Sequence, residues 1–142
     1  MSKGLISELS RSLIEIAWYF GPKGLDGECC DNLTMPEFIA LDKVAATPDC
    51  PVQDVGFALN FTKSGATRLV GRLEKKGYIV KVRSSLDARL CCVAITEKGG
   101  QVLESANSRY LKQFNDLVSK MTGYAYADVA ALVTAMARSV KK

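Results

Sequence analysis

The sequence predicts a mainly α-helical single domain that carries one small β-hairpin. Three observations support this. Apolar residues recur at three- and four-residue steps through most of the chain, and that pattern gives way to β-rich runs only between Tyr78 and Ile95. Positive charge gathers on the stretch that joins the two patterns. Between Thr62 and Arg89 stand eight Lys or Arg (Lys63, Arg68, Arg72, Lys75, Lys76, Lys81, Arg83, Arg89) against Glu74 and Asp87, so this segment is +6 in a chain of net charge +4. Positive charge concentrated on a helix plus hairpin is the electrostatic footprint of a duplex-DNA reader.

The 142 residues fit one domain, and the hydrophobic share of 48% with a charged share of 24% is that of a soluble globular protein. No apolar run is long enough to span a membrane, and the mixed-charge start MSKGLISELSRS lacks the apolar centre of a secretory signal. The expected location is the cytoplasm, where the five cysteines (Cys29, Cys30, Cys50, Cys91, Cys92) are reduced by default. Histidine is absent, which removes the commonest general base and the commonest metal ligand together. With no phosphate loop, nucleophile elbow or CxxC pair either, the reading is not an enzyme, and no cofactor is expected.

In chain order, Ile6, Leu9, Leu13, Ile16, Ala17 and Phe20 make residues 5–20 an amphipathic helix, broken by Gly21, Pro22, Gly24 and Gly27. Thr34-Met-Pro-Glu37 reads as a capping box. The helix it starts is expected to bury Phe38, Ile39, Leu41, Val44 and Ala45 and to stop before Thr47-Pro48. Pro51 to Leu59 is a short helix with Val52, Val55 and Leu59 on one side. Asn60-Phe61 turns the chain, and Thr62 caps the next helix. There Ala66, Leu69, Val70 and Leu73 face inward, leaving Lys63, Ser64, Thr67, Arg68 and Arg72 outward. That is a helix-turn-helix. Tyr78–Arg83 and Leu90–Ile95 are strands around the tip Ser84–Arg89, with Cys91, Val93 and Ile95 on one face and Cys91 expected to point inward. Helix-turn-helix followed by hairpin is a winged helix. A long helix from Thr96 to about Met121 (Leu103, Ala106, Tyr110, Phe114, Leu117) and a last one through Tyr126, Val129, Val133, Met136 and Val140 complete the chain.

The winged core, residues 34–99, closes by itself. The helices at 1–20 and 100–142 lie outside it with surplus apolar stripes, so they are expected to dimerise the chain. A two-fold protein also matches a palindromic duplex with half-sites about one helical turn apart.

At this point the sequence resembles the MarR-type winged-helix transcriptional regulators along nearly its whole length. The residues carrying the resemblance are Ala66, Arg68, Leu73-Glu74, Gly77-Tyr78-Ile79, Asp87, Arg89, Thr96 and Gly99. Gly65 and Ala88 depart from the usual pattern, the first at a cost of about 1 kcal/mol of helix propensity relative to Ala. The resemblance implies a homodimer on a pseudo-palindromic operator in double-stranded DNA, usually a repressor until a signal releases it. It places the helix of Thr62, Lys63, Ser64, Thr67, Arg68 and Arg72 in the major groove. The wing of Arg83, Asp87 and Arg89 falls along the minor groove. Arg68 suits a guanine edge and Arg89 a narrow minor groove, whereas Asp87 faces a repulsive phosphate and is expected to fix an arginine instead.

The signal is open among several classes. Vicinal Cys29-Cys30 suits a soft ion or an oxidant, with Glu28 and Asp31 favouring the cation and blunting the oxidant. The same thiols also fit a plain packing role. A small aromatic effector beside Trp18, Tyr19, Phe20 and Phe38 is a further option. A protein-interaction module built on a winged helix, without DNA reading, is the competing function.

Overall fold

The computed structural model describes residues 1–21 and 33–141. Cys29 and Cys30 therefore lie outside the described residues. The described chain forms two units, Met1–Ser108 and Arg109–Lys142.

In the first unit, helix α1 spans Lys3–Phe20, with the Ser2 hydroxyl accepting from the Leu5 amide at 3.2 Å. Helix α2, Met35–Ala46, opens on the expected capping box: Thr34 Oγ1 accepts from the Glu37 amide and Glu37 Oε1 accepts from the Thr34 amide, both at 3.2 Å. Its buried stripe differs from expectation. Glu37, Ala40, Leu41 and Val44 are buried, while Ile39 and Ala45 are exposed and Phe38 is partly buried. The helical phase is set by a charged residue, which hydrophobic periodicity alone passes over.

Cys50–Pro51 is a two-residue strand, β1, which runs directly into helix α3, Val52–Leu59. Asn60 ends α3 in the left-handed region (φ 56°), and the Thr62 hydroxyl caps helix α4, Lys63–Lys75, by accepting from the Gly65 amide at 3.1 Å. Ala66, Leu69, Val70 and Leu73 are its buried residues, as the spacing requires. Helices α2, α3 and α4 pack on one another around Leu41, Val44, Val55 and Leu69.

Helix α4 ends in a Schellman motif. The Gly77 amide donates to the Glu74 carbonyl at 2.9 Å and the Tyr78 amide to the Leu73 carbonyl at 3.0 Å, with Gly77 at φ 83°. A side chain there meets the left-handed penalty, so Gly77→Ala is expected to cost about 1–2 kcal/mol of stability in urea denaturation.

Strands β2 (Ile79–Arg83) and β3 (Cys91–Ile95) form the hairpin, with Ile79 opposite Ile95 and Arg83 opposite Cys91. The sheet order is β1-β3-β2, all antiparallel, with Cys50 opposite Val93. The expectation that Cys91 points inward is corrected. Cys91 is exposed, while Cys92 and Val93 are both buried, because β3 is the central strand and is covered on both faces over part of its length.

Helix α5, Glu97–Ser119, follows at once. The Thr96 hydroxyl accepts from the Gly99 amide at 3.0 Å and donates to the Gly77 carbonyl at 2.7 Å, tying the start of α5 to the end of α4. In the second unit, helix α6 covers Tyr126–Val140 and has no buried residue. Helix α1 has none either, and its Leu5, Ile6, Leu9, Leu13, Ile14, Ile16 and Trp18 are 45–65% exposed. Two helices with open apolar faces are more than scattered surface residues require.

Glu37 is fully buried and accepts from α4: Arg72 Nη2 lies 3.1 Å from Oε1 and Lys76 Nζ 2.8 Å from Oε2. Burial pushes its carboxyl up, but hydrogen bonds from Lys76 and from the side chain and amide of Thr34, with the Lys76 charge, outweigh this and hold the pKa below its ordinary 4.5. A carboxylate depressed on folding adds stability that is fully present above the unfolded value and is lost as pH falls through the folded one. The stability advantage of the native chain over Glu37→Gln, read from urea midpoints, is thus expected to shrink as pH drops below 4.5.

Candidate nucleic-acid interface

The buried stripe of α4 fixes which face looks out. Opposite Ala66, Leu69, Val70 and Leu73 stand Lys63, Ser64, Thr67 and Arg68, all exposed. No acidic residue occupies the first turn of α4, so its amides and cations together present positive potential. Two hydroxyls are already engaged: Thr62 caps the helix, and Thr67 Oγ1 donates to the Lys63 carbonyl at 2.9 Å. Arg72 is exposed as well, as the spacing requires. One end of its guanidinium, Nη2, also donates to Glu37 of α2.

The wing tip is a braced turn. Ser84 Oγ accepts from the amides of Leu86 and Asp87, both at 3.2 Å, and the Leu90 amide donates to the Asp87 carbonyl at 3.0 Å. Asp87 Oδ1 accepts from the Arg89 amide at 3.0 Å and from Arg89 Nε at 3.2 Å. These two bonds, the backbone one foremost, hold the Asp87 carboxyl below the usual carboxylate range. Asp87 therefore poses Arg89, whose side chain is 91% exposed. Ser85 Oγ donates to Asp49 Oδ2 at 2.7 Å, which anchors the wing to the turn before β1, where Asp49 holds φ 47°.

An open cleft of about 450 Å³ runs between α3, the start of α4 and the base of the wing. Thr62, Lys63 and Thr67 line it from α4, and Arg89 closes it from the wing. Arg83 and Arg89 share a second concavity along the hairpin. Arg89 is thus the charged residue common to both, with Leu90 and Cys91 beside it, while Ser64 and Arg68 lie outside the cleft on the α4 helix. Sequence reasoning missed Phe57 (76% exposed) and Phe61, which form the apolar wall of this cleft, and the Asp49–Ser85 tie. Phe57 was legible in principle as the large apolar residue left off the Val52, Val55, Leu59 face. The tie joins residues 36 apart and leaves no local pattern.

Of the described cysteines, Cys50 is buried and its thiol is pushed up by burial first and by the Asp54 charge second, so it behaves as a packed apolar group. Among the described residues no group of Cys, Asp and Glu is arranged to hold a metal ion. No helix among them is long and apolar enough to cross a membrane.

Residues 31–90, which hold α2 through the wing tip, match the model of the MarR family. Over that core the chain is similar to the MarR family. It is 28% identical over 98 residues to the HTH-type transcriptional regulator BilQ of Clostridioides difficile (strain CD3), covering 69% of this chain and 66% of that one. It is 26% identical over 91 residues to the HTH-type transcriptional regulator MhqR of Bacillus subtilis (strain 168), covering 64% and 63%. The matches thus span just under two thirds of those relatives' own lengths. Its fold is that of the transcriptional repressor CouR bound to a 23-mer DNA duplex (TM-score 0.76, 21% identity, 100% of this chain and 99% of that one). It is likewise that of Streptococcus pneumoniae FabT in complex with DNA (TM-score 0.73, 21% identity, 96% and 94%). The winged-helix architecture read from the sequence is therefore the fold of this chain.

Proposed function

We propose that this MarR-type chain is a homodimeric, sequence-specific regulator of transcription that binds a pseudo-palindromic operator and acts as a repressor released by a small-molecule, soft-metal or thiol-oxidising signal. The observation that carries the reading is the pairing of two positive surfaces: the outward face of α4 and an arginine braced at the wing tip, on either side of one cleft. Lys63, Ser64, Thr67 and Arg68 enter the major groove behind the capped Thr62. Arg68 reads a base edge, while Arg83 and Arg89 follow the minor groove. Residues 34–99 form the reading core. Residues 1–20 and 100–142 supply the two-fold contact, supported by the open apolar faces of α1 and α6. Relatives solved on DNA support the partner class. Cys29-Cys30 is the thiol pair proposed to sense the signal.

Footprinting on the region upstream of its own gene, with and without thiol oxidant, As(III) or salicylate, tests this. Two protected half-sites about one turn apart are expected, with protection lost in one of the three treated samples. Absence of any protected site would point to a winged-helix protein-interaction module instead.

A further inference from the structure

Glu37 is the one charged side chain buried among the described residues, and the capping box does not explain why. A glutamate at the third position of a helix caps equally well from the surface. Here the carboxylate is fully withdrawn from solvent and spends both oxygens on α4, Oε1 on Arg72 and Oε2 on Lys76. A buried carboxylate carries a large desolvation cost that only well-placed cations offset, so removing it from water fixes where those cations sit. Arg72 lies one helical turn beyond Arg68 on the same helix, and Lys76 is the C-cap of α4. The remaining hold on α4 is the apolar stripe Ala66, Leu69, Val70 and Leu73, and apolar packing is non-directional. The Arg72 contact at Oε1 is a charge-assisted hydrogen bond and so directional, and with the Lys76 ion pair at Oε2 it defines the roll of α4 about its axis where the apolar stripe alone leaves latitude. Base-edge readout depends on that roll, because it needs groups held within about 0.5 Å, whereas long side chains neutralise phosphates from many poses.

We propose that Glu37 is a positioning residue for operator specificity: it fixes the roll of α4 over α2 and keeps Arg72 off the DNA phosphates, so that Arg68 and its neighbours meet base edges in register. This rests on the reading of α4 as the major-groove helix.

The test uses the full chain, a duplex from the footprinted region and a scrambled duplex of equal length, titrated across a salt series, with folding checked by circular dichroism. Glu37→Gln, which keeps an oxygen for the Thr34 cap, is expected to lower the operator-to-scrambled affinity ratio at least tenfold while scrambled-duplex affinity stays level or tightens. Arg72→Gln is expected to lower the same ratio but leave the salt slope unchanged. Lys63→Gln, a true phosphate contact, should reduce the slope by roughly 0.9. The double variant Glu37→Gln with Arg72→Gln should be no worse than the weaker single, since both break one contact. An equal loss of affinity for both duplexes in Glu37→Gln, as simple destabilisation produces, overturns the proposal. So does a slope reduced by roughly 0.9 in Arg72→Gln, which would make Arg72 a phosphate ligand. That second readout decides the matter if Glu37→Gln fails to fold. A native chain whose operator affinity changes normally with salt but whose ratio is insensitive to both substitutions leaves the DNA-reading proposal standing and removes this one; a native chain that binds neither duplex removes both.

Discussion

Arg89→Ala is expected to weaken operator binding by more than about tenfold, equivalent to about 1.4 kcal/mol, while the chain stays folded. The expectation follows from where the guanidinium stands. It is almost fully exposed, so its removal leaves no cavity and no buried partner. It also borders both the α4 cleft and the hairpin concavity, so its loss is felt on both docking surfaces. A narrow minor groove concentrates negative potential, and an arginine there is worth more than one in open solvent. Asp87 contributes through Arg89 alone. Asp87→Asn is therefore expected to weaken binding less, and the double variant to be no weaker than Arg89→Ala. Fluorescence anisotropy on the footprinted duplex measures all three. An unchanged affinity in Arg89→Ala removes the wing from the interface.

Gly99→Ala is the substitution with the largest expected effect on folding. A Cβ at this position of α5 would overlap the carbonyl oxygen of Tyr78, and the obstacle is backbone that has no rotamer to move into. That same carbonyl accepts from the Thr96 amide at 3.0 Å, so retreating from the new methyl breaks the junction between hairpin and helix. The cost is expected at about 3 kcal/mol, the upper end of overpacking effects. In a chain of this size that lowers the melting temperature by about 6–12 °C, read by thermal circular dichroism. Gly100→Ala next to it meets nothing within 4 Å and should be neutral or slightly stabilising, which separates the steric effect from helix propensity.

Much of this arrangement was legible in the sequence where one local rule decides the outcome. The inward residues of α4 follow from helical spacing. The Thr34–Glu37 capping box follows from residue types three positions apart in chain order, and the Asp87–Arg89 brace from the cost of an unpaired carboxylate near phosphate. Strand β1 was not legible. Two residues show no alternation, one of them is proline, and their pairing exists only because β3 lies beside them. Cys91 misled for a related reason. Alternation assigns one inward face to a strand, whereas central β3 buries Cys92 and Val93 in succession. The phase of α2 was missed because its core position is a glutamate whose cations arrive from Arg72 and Lys76, 35 residues or more further on. Arg72 is outward as read, and nothing local to it signals the same pair from its other end.

The most direct measurement is the equilibrium affinity of the chain for a duplex from its own upstream region as a function of salt concentration. Each phosphate neutralised by Lys63, Arg83 or Arg89 adds roughly 0.9 to the steepness of log affinity against log salt, twice over in a two-fold complex. The expected result is a steep negative slope that becomes shallower in Lys63→Gln and Arg89→Ala. A slope near zero, with binding intact, would contradict the assignment of α4 and the wing to DNA.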